Sequence, residues 1–442
     1  MISESRQFPR RSFLKTASSG LLAAGAMPYL IPASALGKDN RASANDRILV
    51  GCIGVGDRGT AVMKHFLENP NAQVVAVCDV KSNVLKEKQN LVNEFYGNKD
   101  CQAYPDFREL VARQDIDACL VATCDHWHVL ASLAAVRSGK DVYMEKPMGL
   151  TLEQIQTMRE AVRKHKRVFQ FGTQQRSDSK FRLACELVRN GKIGQLKSMN
   201  VWAPGSSSGG DPTPVQVPSW LDYEMWLGPA PFKPYTKDRC SNALWWFISD
   251  YAIGFIAGWG IHPIDIAVWG APEKFTEPWE IEGTGEFPTE GVCDTAMNWN
   301  VKMQLANNVT LNFTGNPYPE EWKKRYEDDC SHGTAFEGTD GWVYVRRGMI
   351  NARPKSILET TIEEPLYRSN NHVGNFLDCV KSRNDPVSNI EDSVMGDTIC
   401  QVSDLAIRLK RELKFDAKRE RFIRDREANK RLTRPMRKPW HL

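Results

Sequence analysis

The chain has eleven cysteines among its 442 residues, yet it contains no Cys-x-x-Cys pair. Closely spaced cysteine pairs are typical of structural zinc sites and of small disulfide-stapled domains, so the sequence argues against both. Cys52, Cys78 and Cys119 instead lie inside apolar runs typical of strands. We therefore predict that the cysteines are small buried hydrophobic side chains, as in a protein that folds in a reducing compartment.

The chain also lacks a strong charge of either sign. Its formal net charge is +4, and much of the basic excess lies at the two ends, including residues 419–437. This balance does not favour nucleic acid as a partner. A composition of 41% hydrophobic and 25% charged residues is typical of globular proteins with large cores, and the length predicts two domains plus processing segments.

The N-terminus has the pattern of an export signal. Arg10 and Arg11 precede a mildly apolar stretch rich in Ala, Gly and Ser, and residues 33–35 (Ala-Ser-Ala) form a small-residue cleavage site. The alternative is an uncleaved membrane anchor, against which Pro28 and Pro32 argue. We expect export to the periplasm by the twin-arginine translocation machinery, which carries folded proteins.

Strands and helices alternate along the next part of the chain. Short β-branched and apolar runs are separated by segments with helical spacing, which predicts βαβ units and a parallel sheet. The predicted strands are residues 47–53, 73–78, 117–122, 141–144 and 168–172. Thr151 and Gln154 have the spacing of a helix capping box.

The pattern changes after about residue 173, where strands with partial alternation indicate a mainly antiparallel, half-exposed sheet. Predicted strands here are 196–202, 296–305, 310–314 and 342–346, and predicted helices are 375–381 and 393–413. The predicted organisation is a signal peptide (1–35), a linker (36–46), a Rossmann domain (47–172), an α+β domain on a large open, mainly antiparallel sheet (173–413) and an extended surface tail (414–442).

A glycine-rich motif follows the first predicted strand. Gly54, Gly56 and Gly59 form a G-x-G-x-x-G before a helix, and Asp79 lies 20 residues after Gly59 at the end of the second strand. This is the dinucleotide fingerprint, in which an acid binds the ribose hydroxyls and repels a 2′-phosphate. NAD is favoured, while Lys81 keeps NADP open; the alternative is a glycine turn that binds no nucleotide.

Several motifs in order resemble the Gfo/Idh/MocA family, named after glucose–fructose oxidoreductase and inositol dehydrogenase. Besides the fingerprint they are residues 123–128 (Thr-Cys-Asp-His-Trp-His), 145–147 (Glu-Lys-Pro) and 259–265, which resembles the family's D-x-G-x-H-x-x-D helix. The ending, residues 425–440, resembles a twin-arginine-exported branch. The resemblance covers nearly all of the chain after the signal.

The resemblance implies an NAD-dependent oxidoreductase that acts on a hydroxyl of a sugar or polyol. The cofactor residues it implies are Gly54, Gly56, Asp57, Arg58, Gly59, Asp79, Thr123, His126, Glu145, Lys146 and Gln175. The substrate residues it implies are Lys146, Trp259, His262 and Asp265, with Trp245 and Trp246 as further candidates for a sugar platform. It also implies a homo-oligomer formed through the open sheet.

Lys146 and His262 are the catalytic candidates. In the family the lysine points to the reacting hydroxyl, where an ammonium stabilises developing alkoxide charge and relays the proton. His262 would be a base or relay next to the same hydroxyl, or a structural residue. Gly258 replaces the family's acid four residues before this histidine. His126 and His128 lack a clear third ligand, so no metal is expected.

Two rival functions remain open at this point. Some members of the family are glycoside hydrolases that hold NAD tightly and oxidise the sugar transiently. A periplasmic sugar-binding protein with a vestigial cofactor site is the non-enzymatic rival, and the departure at Gly258 is the feature that supports it.

Overall fold

The computed structural model describes residues 43, 46–241 and 243–442. The predicted signal peptide and most of the predicted linker therefore lie outside the described residues. Arg47–Leu442 form one compact unit. No helix in the described part of the chain is long and apolar enough to cross a membrane.

The first half is a six-stranded parallel sheet with helices between its strands, in the order β3-β2-β1-β4-β5-β6. Its strands are β1 Ile48–Ile53, β2 Ala72–Cys78, β3 Gln102–Tyr104, β4 Ala118–Val121, β5 Asp141–Met144 and β6 Phe169–Phe171. Its helices are α1 Asp57–Glu68, α2 Ser82–Tyr96, α3 Phe107–Ala112, α4 Asp125–Arg137 and α5 Leu152–His165. This strand order is that of the Rossmann fold.

The central strands are buried on both faces because helices cover both sides of the sheet. Every residue of β4 and β5 is buried, as expected for continuous apolar runs in a parallel sheet. The predicted cap of α5 is confirmed, since the Thr151 hydroxyl accepts a hydrogen bond from the Gln154 amide. β3 was missed because a strand of three residues is too short to show a period.

The second half is a nine-stranded sheet in the order β13-β12-β11-β7-β10-β9-β8-β14-β15. Its strands are β7 Leu196–Ala203, β8 Trp279–Glu286, β9 Asn298–Gln304, β10 Thr310–Gly315, β11 Gly333–Gly338, β12 Trp342–Arg346, β13 Met349–Arg353, β14 Leu413–Asp416 and β15 Arg421–Phe422. β7 and β10 pair in parallel, and the other neighbouring strands are antiparallel. The predicted fold class, α/β with a mainly antiparallel second sheet, is confirmed.

The remaining helices cover one face of this sheet or join its strands. They are α6 Ser179–Arg189, α7 Tyr223–Leu227, α8 Phe255–Gly258, α9 Ile261–Gly270, α10 Glu320–Tyr326, α11 His372–Ser382, α12 Ile390–Leu409 and α13 Arg426–Lys430. In β9 the side chains of Trp299, Val301 and Met303 are buried, whereas Asn300 and Lys302 are exposed. The alternation places the hydrophobic core on the helix side and a polar surface on the other side.

Helix α9 is buried along its whole length, and it packs against α12 and the sheet. A helix enclosed on all sides is apolar all round, and α9 accordingly carries Ile, Val, Ala and Trp side chains. His262 and Asp265 are the titratable residues of α9, so both side chains are carried into the protein interior. This placement brings a histidine to the edge of the parallel sheet.

The tail corrects one prediction, because residues 414–442 are not simply extended. They form most of β14, then β15 and α13, with Phe415 and Phe422 in edge-to-face contact at 5.4 Å. The chain then returns to the first half, where the Trp440 ring lies 4.7 Å from that of Trp127. This short hairpin was not predicted, because its two aromatic residues are separated by charged ones. In addition, β14 pairs with β8, which is distant in sequence.

The prediction for the cysteines is confirmed. All eleven thiols are free, nine of them are buried, and Cys124 and Cys330 are partly buried. Cys52, Cys78 and Cys119 lie in the core of the parallel sheet with less than 5% exposure. They therefore pack as small apolar side chains.

Candidate active site

The glycine motif forms a tight turn between β1 and α1. Gly54 has φ +78°, and a Cβ there would lie 2.6 Å from the backbone nitrogen of Thr123. A Cβ on Gly59 would overlap the carbonyl oxygen of Gly54. Around Gly56, by contrast, no atom lies within 4 Å of an added Cβ. Gly54 and Gly59 therefore allow the helix to lie close to the strand, and Gly56 keeps the space above the turn open.

Asp79 follows β2, and its carboxylate links the glycine turn to the segment after β2. Its carboxylate accepts hydrogen bonds from the backbone amide of Val55 at 3.0 Å and from that of Lys81 at 2.9 Å. Burial raises the pKa of Asp79, and these hydrogen bonds partly offset the rise. The carboxylate is thus fixed beside the glycine turn by backbone contacts.

A cavity of about 680 Å³ lies at the carboxyl ends of β1, β2, β4 and β5, and we call it the first cavity. Predicted cofactor residues that line it are Gly54, Gly56, Asp57, Arg58, Asp79, Thr123, Glu145 and Lys146. Helix α1 begins beside it at Gly56 without a side-chain cap, which leaves backbone N–H groups for a phosphate. The open space at Gly56, the uncapped helix and Asp79 together fit a dinucleotide.

Three predicted cofactor residues lie elsewhere. Gly59 packs behind the turn, and Gln175 lines a different cavity. His126 is buried, and its Nε2 lies 2.9 Å from the carbonyl oxygen of Trp226. Burial lowers its pKa to about 4. The ring of His126 thus packs against α7, and its predicted contact with the cofactor stays a prediction.

The alternative of a metal on His126 and His128 finds no support in the geometry. The His128 nitrogens lie 2.6 Å from the carbonyl oxygen of Pro147 and 3.0 Å from that of Thr123. In the described part of the chain no group of three His, Cys, Asp or Glu side chains could hold a metal ion. His128 therefore joins the loop after β4 to the loop after β5.

Glu145 ends β5 and is almost fully buried. Its carboxylate forms an ion pair with Arg58 at 2.7 Å and accepts a hydrogen bond from the Gln174 amide at 2.8 Å. Burial alone would raise the pKa of Glu145, but Arg58 and Lys146 hold that pKa below its ordinary value. Glu145 is therefore an anion that links the glycine turn to the segment after β6.

Lys146 occupies the position next to it, between the two halves of the chain. Its Nζ donates to the carbonyl oxygen of Gly258 at 2.8 Å and lies 4.9 Å from the centre of the Trp246 ring. Burial lowers the pKa of Lys146, while the charges of Glu145 and Asp125 oppose that shift. The lysine thus has a weakened hold on its proton and a fixed position.

His262 is the second residue of α9 and is 4% exposed. Its Nδ1 is buried without a hydrogen-bond partner, and no described group forms a hydrogen bond with Nε2. Burial lowers the pKa of His262 well below its ordinary value, and the charges of Lys146 and Arg347 add to this effect. A neutral imidazole with unused nitrogens can accept a proton or a hydrogen bond from a ligand.

A second cavity, of about 880 Å³, lies between the sheet ends and α9. Its lining includes Lys146, Gln175, Trp246, Trp259, His262 and Arg347. Arg58, Lys146 and Trp246 line both this cavity and the first. The two predicted catalytic residues therefore meet in one space that adjoins the dinucleotide cavity at Lys146.

Asp265 does not share this space, so the geometry gives no support to its predicted contact with the substrate, which stays a prediction. Its carboxylate receives two hydrogen bonds at 2.8 Å from the buried guanidinium of Arg176, which also pairs with Asp392 at 2.6 Å. Asp265 is among the lining residues of neither cavity described above. The negative charge of Asp265 compensates the buried guanidinium of Arg176, because an unpaired guanidinium in the interior would be costly.

The tryptophans take different positions. Trp259 lines the second cavity, Trp246 lines both cavities, and Trp245 is 7% exposed and lines the first. The Trp259 ring already has the guanidinium of Arg347 at 4.9 Å and the His332 ring at 4.5 Å. Part of its surface is therefore covered.

Sequence reasoning missed Arg347, which follows β12, and His372, which also lines the second cavity. They belong to none of the motifs, and they reach the site through the pairing of distant segments. Composition and spacing held no signal for them.

Two family models match the chain. One, described as the oxidoreductase family with an NAD-binding Rossmann fold (GFO_IDH_MocA), matches residues 48–173, and the other, an oxidoreductase-family C-terminal alpha/beta domain (GFO_IDH_MocA_C2), matches residues 205–442. Together they span most of the described chain and most of the residues that line the two cavities.

Curated relatives are glycosyl hydrolase family 109 proteins. One from Saccharopolyspora erythraea is 32% identical over 209 residues, 44% of this chain and 45% of its own length. One from a Shewanella species is 34% identical over 166 residues, 34% of this chain and 35% of its own length. The match thus spans less than half the length of these relatives.

Solved structures share the fold. The aldose-aldose oxidoreductase from Caulobacter crescentus, solved with glycerol, superposes with a TM-score of 0.61 at 19% identity, over 84% of this chain and all of its own. The WlbA dehydrogenase from Bordetella pertussis, solved with NADH and UDP-GlcNAcA, has a TM-score of 0.61 at 12% identity, over 83% and 98%. These identities support the fold alone.

Substitutions in the glycine turn should separate binding from folding. Gly56→Ala adds a methyl group to open space, so NAD affinity should fall by at least about tenfold while the free energy of unfolding stays unchanged. Gly59→Ala forces α1 away from Gly54 and should cost about 1–3 kcal/mol of stability as well. Calorimetric titration with NAD and urea unfolding would measure both. Unchanged NAD affinity in Gly56→Ala would contradict the position assigned to the dinucleotide.

The buried ion pair predicts a structural effect for Asp265. Asp265→Asn leaves the Arg176 charge undercompensated and should lower the free energy of unfolding by about 3 kcal/mol or more. The matched control is Glu280→Gln, which breaks a surface pair with Lys414 and should cost less than about 1 kcal/mol. A stable Asp265→Asn variant with impaired substrate binding would return Asp265 to the substrate site.

Proposed function

The chain belongs to the Gfo/Idh/MocA oxidoreductase family, with an NAD-binding Rossmann half, and from this we propose that it transfers hydride between a sugar or polyol hydroxyl and NAD. One observation carries the proposal. The cavity that fits a dinucleotide and the cavity lined by His262 share Lys146. A substrate hydroxyl in the second cavity would lie beside both a lysine and a histidine.

The residues of the chain fit the roles that this reaction needs. NAD, when bound against Gly54, Gly56 and Asp79, supplies the hydride acceptor. Lys146 stabilises negative charge on the substrate oxygen through its ammonium group. His262 is neutral because of its lowered pKa, so an unbonded ring nitrogen can take the hydroxyl proton.

The position of Lys146 is maintained without the acid that the family has at residue 258. The backbone carbonyl of Gly258 accepts the hydrogen bond from Nζ, and Trp246 lies against the ammonium. An added Cβ at Gly258 would make only ordinary contacts with Phe255 and Trp246. Position 258 therefore has room for a Cβ, and the absence of an acid there removes a negative charge from the site.

We also propose that the protein prefers NAD to NADP as its cofactor. Asp79 is fixed at the end of β2 by two backbone hydrogen bonds, and it lines the first cavity. A carboxylate there accepts hydrogen bonds from ribose hydroxyls and repels a 2′-phosphate. Lys81 lines the same cavity and weakens that repulsion.

A glycoside hydrolase that uses NAD for transient oxidation is the second candidate. The glycosyl hydrolase family 109 relatives favour it, although the match covers less than half of each. Lys146 and His262 would serve both reactions, because each begins with removal of a hydroxyl proton. Release of sugar without net NADH would identify the hydrolase, and binding without turnover would identify a sugar-binding protein.

The proposal includes export and assembly. Arg10 and Arg11 support transport to the periplasm by the twin-arginine machinery. The family resemblance supports a homo-oligomer formed through the open face of the second sheet, on which Asn300 and Lys302 are exposed.

Substitution of the two catalytic candidates tests the proposed reaction. Lys146→Ala and His262→Ala should each lower turnover by ~10²–10⁴-fold, the usual worth of a positioned acid–base group, with little change in NAD affinity. NADH formation and released sugar would be measured on a panel of sugars, polyols and glycosides. Lys164→Ala and His441→Ala, both at exposed positions, are the matched controls. Full turnover by His262→Ala would make that histidine structural.

Cofactor preference is tested at Asp79. Asp79→Asn keeps a hydrogen-bond acceptor for the backbone but loses the charge that repels a 2′-phosphate. The ratio of NAD to NADP affinity should therefore fall by about tenfold or more. Calorimetric titration with each nucleotide measures the ratio, and equal affinities in the unaltered protein would show that Asp79 does not select the cofactor.

A further inference from the structure

The second cavity is rich in positive charge. Its lining includes Arg58, Lys146 and Arg347, and Asp178 is the one carboxylate among the described lining residues. The Arg58 charge is balanced by Glu145 behind the cavity. Asp178 accepts a hydrogen bond from the Lys180 amide at 2.8 Å as the N-cap of α6. Glu145 also partly offsets Lys146, which leaves Arg347 without an ion pair among the described residues.

Arg347 lies at the turn between β12 and β13, and its guanidinium is held over the Trp259 ring at 4.9 Å. Within the described residues the guanidinium has no hydrogen bond or ion pair. The preceding residue, Arg346, is fully used by an ion pair with Asp328. The two adjacent arginines thus differ. Arg346 stabilises the fold through its ion pair, whereas Arg347 contributes its charge to the lining of the second cavity.

The turn that carries Arg347 is held by a contact with α6. The ammonium of Lys180, on α6, donates to the carbonyl oxygen of Gly348 at 2.7 Å. Burial lowers the pKa of Arg347, and the nearby charge of Arg58 lowers it further, while Glu145 opposes the shift. The guanidinium is thus partly desolvated, with incomplete compensation by the protein.

We propose that the sugar substrate carries an acidic group, a carboxylate or a phosphate, and that Arg347 binds it while Lys146 and His262 act on a hydroxyl of the same molecule. This inference rests on the proposed function and names its substrate class. A guanidinium presents a planar fork of N–H groups that matches both anions. The glycine at 258 agrees with it, because a carboxylate beside Lys146 would repel such a substrate.

The cofactor's phosphates do not explain Arg347. The glycine turn and the start of α1 line the first cavity, whereas Arg347 lines the second. Trp259 and His262, which lie beside Arg347, also line only the second of the two. The anion bound by Arg347 therefore belongs to the molecule in the substrate space.

The test compares matched sugars on the full-length protein loaded with NAD. Glucose, galactose and mannose would each be offered as the neutral sugar, the uronate and the 6-phosphate, with Kd from calorimetry and KM and kcat from NADH formation. At least one anionic form should bind about tenfold to hundredfold more tightly than its neutral parent. The uronate and phosphate arms identify which anion is recognised.

Variants at the turn assign the effect to one residue. Arg347→Gln should remove the preference through a higher KM for the anionic sugar, and Arg347→Lys should restore part of it. Arg353→Gln, which removes a charge of the same hairpin that pairs with Glu327, should keep the preference. The affinity for NAD should be the same in all variants.

Three results would overturn the inference. Preference for neutral sugars that Arg347→Gln does not alter would contradict it and leave the proposed function standing. Weaker NAD binding by Arg347→Gln would assign the guanidinium to the cofactor. If no sugar of either kind is bound or oxidised, the proposed function fails, and this inference fails with it.

Discussion

A lysine held out of water at the junction of two cavities is the constraint on which the site depends. Charge on Lys146 is costly in the interior, so the protein must compensate it. It does so with the Gly258 carbonyl, the face of Trp246 and the nearby carboxyl groups of Glu145 and Asp125. Each partner comes from a different segment, so the lysine is correctly placed only when both halves of the chain are folded together.

The need to compensate a buried charge also fixes the position of α9, the helix that places His262 in the same cavity as Lys146. Helix α9 is enclosed on all sides, and Asp265 one turn after His262 pairs with the buried Arg176. Arg176 in turn reaches Asp392 at the start of α12. The ion pairs set the position of α9, and they leave the imidazole itself without a protein partner. A rigid helix with an unused histidine is a suitable support for a proton-transfer group.

The parts that could be predicted from sequence are those whose cause is local. The parallel sheet followed from apolar runs and turn residues, and the dinucleotide cavity from glycines within six positions. Asp265 was assigned to the substrate because it lies three residues from His262, whereas its partner Arg176 is 89 positions away in sequence. Strand β11 and the hairpin of β14 and β15 depend on pairing with distant strands, which no local period shows. Arg347 reaches the site only because the turn after β12 lies against α6 and holds the guanidinium over Trp259.

The positive charge of the second cavity depends on the absence of an acidic side chain at position 258. A carboxylate at position 258 would offset Lys146 directly, and the backbone carbonyl that replaces it offers only a dipole. Less of the charge on the Lys146 ammonium is therefore compensated. Arg347, which lies over the Trp259 ring, adds a second positive charge. Both charges disfavour protonation of His262, since its pKa is lowered by burial and then by these two groups. The positive charge of the cavity thus adds to burial in keeping the histidine neutral, and an anionic ligand is what such a cavity would stabilise most.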